Sequence, residues 1–273
     1  MSLSKDIKNF KSPLRYPGGK TRAVKILTTY VQTYFPERKT VLSPFFGGGS
    51  FELFLYSNKY KVYGNDLFKP LYIFWKVLLS NPELLKEKVE TLMPITKEKF
   101  LSYRKEISEL SDELKIASYY YIINRCSFSG STFCGGFSLE ASTKRLNESS
   151  LKTVESYKEL KNSSDLEDFK SITFSNQDCI EFIKDHPENK ESFLYLDPPY
   201  YIETYIYGKN GDLHENFNHE KLRDTLMTRN DWILSYNDCT YIRELYKDCK
   251  IFKEAWAYGM NAKKDSSEII IMK

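Results

Sequence analysis

The chain has 273 residues, enough for one α/β domain with a sizeable core plus an insert. A mean hydropathy of −0.51, and no apolar run of about 18 residues, exclude a membrane-spanning helix. The net charge of +3 is too mild to name a nucleic-acid partner by itself.

Distribution says more than the total. Residues 1–39 carry nine Lys/Arg against two acids, an arm that suits phosphate contact but that a solvated surface would also explain. The start is polar and lacks the apolar centre of a signal peptide. Leu14-Arg15-Tyr16-Pro17-Gly18-Gly19-Lys20 reads locally as a Pro-Gly turn before a helix. A β-type run, Thr40–Ser43, then meets the turn Pro44-Phe45-Phe46-Gly47-Gly48-Gly49-Ser50, with a helical pattern over 51–55. Strand, glycine turn and helix form the start of a nucleotide-binding βαβ unit, where missing Cβ atoms let backbone approach a ligand. The spacing is not G-x-G-x-x-G. A second strand over 61–64 ends at Asn65-Asp66, where an acid would hold a ribose diol or simply cap the helix predicted over 67–79.

About 100 residues separate Asp66 from the next strand, far more than a crossover requires. Helical patterns fill them over Pro82–Leu92, 97–110 and 112–124, with Pro82 and Ser111-Asp112 as entry signals. A Gly/Ser-rich loop over 127–142 follows. The stretch reads as an inserted module, dividing the chain into 1–75, 76–170 and 171–273. Residues 76–170 carry fifteen bases and fifteen acids, so net attraction is not what the insert supplies. Strands are predicted over 171–174, 193–196, 232–235, 251–256 and 268–271.

The fourth strand runs into Asp197-Pro198-Pro199-Tyr200. Each proline fixes φ and removes a donor, so the tip offers one carboxylate, free carbonyls and one ring. Read as an isolated acceptor at a strand tip, Asp197 suits an exocyclic amine on a planar base that stacks on Tyr200. Two acceptors on its N–H bonds draw an adenine N6 towards tetrahedral geometry and free its lone pair. The plain reading is a strand-terminating turn with a buried tyrosine. The segment 202–217 follows, with Gly208 and Gly211, and is suited to closing over a flipped base. Five cysteines without a C-x-x-C pair read as free thiols of a cytoplasmic protein, and three histidines have no metal-ligand spacing.

Taken in order, these segments resemble the adenine-N6-specific DNA methyltransferases of the Dam type, the D12 class. The resemblance rests on Leu14 to Lys20, Pro44 to Ser50, Asn65-Asp66 and residues 197–200, and spans nearly the whole chain. Weaker echoes stand at Asn124-Arg125, Asn176-Gln177-Asp178 and Ser235-Tyr236-Asn237-Asp238. It implies a class I S-adenosylmethionine-dependent methyltransferase fold: a Rossmann-like, mostly parallel sheet with an antiparallel last strand and a mainly helical target-recognition insert. It implies that Tyr16, Lys20, Phe45, Gly47, Gly49, Asp66, Asp178 and Asp197 lie at the S-adenosylmethionine site. Asp66 would take the ribose and Asp178 the cofactor's adenine amine, and S-adenosylhomocysteine would be the product. Asp197, Pro198, Pro199 and Tyr200 would act on the flipped adenine, and Arg15, Asn124 and Arg125 would meet DNA. No metal is implied, because the sulfonium is the electrophile. The loop over 125–137 lacks the Arg-rich hairpin of GATC-methylating members, so GATC specificity is not implied.

The same resemblance implies double-stranded DNA as partner, a possible cognate restriction endonuclease, a monomer, and the cytoplasm of a bacterial or phage-infected cell. Rival readings are an RNA, cytosine-N4 or protein-glutamine methyltransferase, or a catalytically silent nucleic-acid-binding relative. Asp197 at the first motif position favours adenine. A nicotinamide oxidoreductase fits the first βα turn and leaves the Asp-Pro-Pro-Tyr tip unexplained.

Overall fold

The computed structural model describes residues 10–16, 19–162, 172–201, 217–255 and 267–273. Its strands are β1 (Thr40–Ser43), β2 (Lys61–Asn65), β3 (Ile172–Ser175), β4 (Ser192–Leu196), β5 (Trp232–Asn237), β6 (Lys250–Ala255) and β7 (Ser267–Met272). They form one sheet in the order β3-β2-β1-β4-β5-β7-β6. The first five pair in parallel, while β7 inserts antiparallel between β5 and β6. This is the mostly parallel sheet with an antiparallel last strand, as expected. Every residue of β4 is buried, as a central parallel strand covered on both faces requires.

Side chains alternate between two cores. Val41, Phe193, Tyr195, Ile233 and Ile270 face one; Leu42, Leu194, Leu196, Leu234 and Ile271 face the other. Helices α1 (Val24–Tyr34), α2 (Ser50–Ser57) and α3 (Lys69–Ser80) cover the first face. After α4 (Pro82–Leu92), α5 (Lys97–Glu106), α6 (Glu113–Cys126), α7 (Leu139–Lys144), α8 (Glu148–Glu155) and α9 (Lys158–Asn162), the second face is covered by α10 (Cys179–Asp185), α11 (His219–Met227) and α12 (Thr240–Leu245).

Caps explain several boundaries. Asp112 accepts from Lys115 N–H at 3.0 Å and starts α6. The helix expected over 97–110 tightens into a 3₁₀ turn at Ile107–Glu109. The loop expected over 127–142 is interrupted by α7, which Ser138 caps through Ala141 N–H at 3.1 Å. The insert shares the first core: Phe74 and Trp75 of α3 touch Tyr120 and Tyr121 of α6 or Tyr157, and Trp75 Nε1 donates to the Gly47 carbonyl at 3.0 Å. Position 76 therefore falls inside a helix whose rings belong to the sheet's own core. All five cysteines are free thiols. No helix among the described residues is long and apolar enough to cross a membrane.

Candidate active site

The carboxyl ends of β1, β2, β3 and β4 meet at one edge, and β1 and β4 flank the point where strand order reverses. Open α/β sheets bind ligands at such a switch point. Asn65 ties three of these ends together. Its Nδ2 donates to the carbonyls of Pro44 at 3.1 Å and Gln177 at 3.0 Å, while its Oδ1 accepts from Gln177 N–H and the Ser175 hydroxyl.

Asp66 follows. Its Oδ2 accepts from Gly47 N–H and its Oδ1 from Phe68 N–H, both at 3.0 Å, so one carboxylate fastens the glycine turn and begins α3. Burial pushes this carboxyl up to about 6, with the two N–H donors pulling against it. Gly47 and Gly49 have φ of +51° and +64°, the left-handed region that favours glycine. The room their missing Cβ atoms leave is taken by rings. A Cβ on Gly48 would lie 2.7 Å from Tyr16 Cβ, and one on Gly49 2.3 Å from Phe46 Cε1. Tyr16, 42% exposed, thus lies against the turn itself. Phe45 meets Phe217 edge to face at 5.6 Å. Asp178 is half-buried and caps α10, with Oδ1 accepting from Ile180 N–H at 2.9 Å.

Asp197 is not an isolated acceptor. Its Oδ1 accepts from Lys20 Nζ at 2.7 Å and from the Ser235 hydroxyl at 2.8 Å. The same ammonium donates to Tyr200 Oη at 2.7 Å and lies 3.6 Å from Glu268 Oε2. Tyr200 in turn donates to Glu268 Oε1. Lys20 is buried, so a charge brought from the start of the chain is neutralised within the tip. Glu52, buried nearby, accepts from the Ser43 hydroxyl at 2.7 Å, and burial pushes its carboxyl up to about 7. Pro198 is buried and Pro199 half-buried, fixing the turn between carboxylate and ring. Ser235 belongs to a weak sequence echo; Glu268 went unread, although a lone acid heading the apolar run Ile269-Ile270-Ile271 was its signal.

The three residues expected at DNA are placed differently from one another. Asn124 is fully buried and clasps Arg15 from both sides, accepting from Arg15 N–H and donating to the Arg15 carbonyl, each at 2.8 Å. The Arg15 guanidinium donates to the Ser127 carbonyl at 3.2 Å. Arg125 is half-buried; its Nε donates to the Arg145 carbonyl at 2.7 Å and its Nη1 to the Pro13 carbonyl at 3.2 Å. Gly130 packs so closely on this clasp that a Cβ there would lie 2.5 Å from the Arg15 carbonyl oxygen. Pro17, Gly18, Lys5, Lys8 and the segment 202–216 lie outside the described residues.

A seven-stranded sheet in this order, with a glycine turn after β1 and a carboxylate ending β2, defines a class I methyltransferase. A family profile described as D12 class N6 adenine-specific DNA methyltransferase matches residues 16–260. The chain belongs to that family, and it is a site-specific DNA methyltransferase acting on adenine N6. DNA is its substrate, and methyl transfer in such a family draws on S-adenosylmethionine. A comparison with curated proteins finds no match.

Proposed function

We propose that residues 197–200 receive an adenine swung out of double-stranded DNA, beside S-adenosylmethionine held over the β1 and β2 ends. One observation carries this reading: Lys20 and Ser235 both grip Asp197 Oδ1, which fixes the carboxylate plane and leaves Oδ2 as the acceptor for a substrate amine. The Pro198 carbonyl supplies the second acceptor, and Tyr200 the stacking face. Asp197 thereby orients N6 and localises its lone pair, while the half-buried, carboxylate-flanked Tyr200 hydroxyl stays protonated and remains a donor.

The cofactor's fit rests on Asp66 and Asp178. Asp66 keeps acceptor capacity after its two N–H bonds and suits the ribose diol; Asp178 suits an adenine amine. Tyr16, Lys20, Phe45, Gly47 and Gly49 complete the cradle, the glycines by letting Tyr16 and Phe46 close on the turn. S-adenosylmethionine, when bound, supplies an electrophilic methyl group, so the reaction proceeds without a metal. Methyl transfer unchanged by EDTA is expected; its loss, restored by a divalent cation, would count against this.

Residues 76–170 are read as the target-recognition insert on the catalytic parts 1–75 and 171–273. Arg15 and Arg125 are read as DNA contacts at its edge, and Asn124 as the clasp that positions Arg15. Phe128, 66% exposed at the loop crown, offers a ring to a base. The protein is read as a cytoplasmic monomer that marks DNA, alone or beside a cognate endonuclease. Sequencing DNA from cells expressing the chain, with N6-methyladenine detection, tests the reading and yields the recognition sequence. Absence of methylated adenine in DNA, with methylated RNA instead, would overturn it.

A further inference from the structure

Glu268 is a charged residue heading a strand that continues Ile269-Ile270-Ile271-Met272, and it is 1% exposed. On β7 it stands opposite Asn237 of β5 on one side and Glu254 of β6 on the other. A buried carboxylate is costly, and an apolar side chain would serve the core better. Its position therefore calls for an account beyond packing. The contacts supply one: Tyr200 donates its hydroxyl to Oε1, and the Lys20 ammonium faces Oε2 at 3.6 Å.

We propose that Glu268 is a positioning residue of methyl transfer, holding the Tyr200 ring and the Lys20 ammonium in register with Asp197. The proposal rests on the reading of residues 197–200 as the catalytic tip. Lys20 divides its protons between Asp197 and Tyr200, both at 2.7 Å. With Glu268 in place, Tyr200 both accepts from Lys20 and donates to the carboxylate, so its hydroxyl is fixed at two points and its ring cannot turn about χ1. Remove the carboxylate and the hydroxyl loses the acceptor that Glu268 provides. Lys20 then loses one of the carboxylates that face it, and its balance shifts towards Asp197. Burial pushes the Glu268 carboxyl up to about 7 against the pull of Lys20, which fits a group held where it is for its contacts.

The test compares E268A, E268Q, Y200F and D197A in single-turnover transfer of labelled methyl, with S-adenosylmethionine affinity and melting temperature measured beside it. 2-Aminopurine at the methylated adenine reports how the extruded base sits against Tyr200. E268A is expected to slow transfer by about tenfold to a hundredfold and to alter the 2-aminopurine signal, with cofactor affinity within about twofold. E268Q, whose amide oxygen still accepts from Tyr200, should recover most of the rate. A merely structural role moves melting temperature and cofactor affinity together and gives no rescue by Gln. An E268A protein at wild-type rate, beside an inactive D197A, overturns the proposal. An active D197A overturns the underlying reading of the tip instead, and this proposal with it. Should E268A not fold, Y200F carries the test. Slower transfer with an altered base signal and an unchanged melting temperature supports the proposal, and a wild-type rate and signal overturn it.

Discussion

The Asp-Pro-Pro-Tyr tip, proposed as catalytic, and the loop over 127–138, proposed to read DNA, are assembled on opposite principles. At the tip, side chains hold side chains: Lys20, Asp197, Tyr200, Ser235 and Glu268 come from four separate places in the chain and meet through charge-assisted bonds. In the loop, side chains hold backbone, from outside through Arg104 and Asn124 and from its own neck through Ser127. Arg104 of α5 donates to the Gly135 carbonyl at 2.8 Å and to the Phe133 carbonyl, Asn124 reaches the Gly130 carbonyl, and Ser127 Oγ accepts from Thr132 N–H at 3.0 Å. Ser127 and Phe137 pair across the loop's neck. The crown residues Phe128, Ser129 and Cys134 are exposed and contribute no side-chain bond to the loop's shape that the structure records among the described residues. The tip therefore ties identity to position, whereas the loop separates them. Under the roles proposed above, chemistry is fixed at the one, and the residues that read DNA are free to change at the other.

Removing Asp197 strikes the tip hardest. D197A is expected to lower methyl transfer by about 10²–10³. It should also lower the melting temperature, because buried Lys20 loses its closest counter-charge. Unchanged transfer of labelled methyl would reduce Asp197 to a structural residue.

Next comes the cofactor side. D66A should weaken S-adenosylmethionine binding by about tenfold to a hundredfold through lost charge-assisted bonds. Because the carboxylate is the acceptor and its folded pKa is raised to about 6, the proton competes below that value. Wild-type affinity should hold above pH 7 and fall as pH drops through about 6, and D66A should lose that dependence. Calorimetric titration at pH 5.5 and 7.5 decides it; a flat wild-type profile removes Asp66 from the site.

Asn124 sharpens the comparison, since it belongs to the insert but grips the backbone that carries Tyr16. N124A should cost cofactor affinity on the order of tenfold, leaving the Arg15 N–H and carbonyl without their partner. Loss of DNA affinity alone would return Asn124 to the role of a DNA contact.

The smallest effect is expected at the loop crown. F128A and S129A should leave melting temperature and cofactor affinity within about twofold while shifting the rate at the preferred site by about fivefold, the low end of what single base contacts contribute. Equal loss of cofactor affinity would show that crown and tip are not separable.

Much of the tip was legible because it is made of short contiguous segments. Glycine turn, Asn65-Asp66 and Asp-Pro-Pro-Tyr each carry their own geometry within a few residues, and short runs rich in β-branched and aromatic residues marked every strand. What lies across the sheet was not legible. The grip on Asp197 joins residues 20, 197, 235 and 268, and no local pattern relates β7 to β4 when β5 stands between them. Asn124 misleads for the same reason. A polar residue beside an arginine at a helix end looks exposed until packing places it inside, against a backbone 109 residues away. Glycines 47 to 49 were legible as necessary, but the rings that need their space were not.

The insertion of β7 between β5 and β6 bears on how the enzyme comes into being during synthesis. Lys20 leaves the ribosome before Glu268, which faces it at 3.6 Å and follows 248 residues later. Until the final strand slots in, β5 shows an open edge, β6 has no neighbour and Tyr200 lacks its acceptor. A growing chain that already carries the glycine turn, residues 76–170 and the Asp-Pro-Pro-Tyr segment is still without a finished tip. Under this architecture, a product cut short before β7 lacks Glu268 and the strand that joins β5 to β6, and is expected to be inactive.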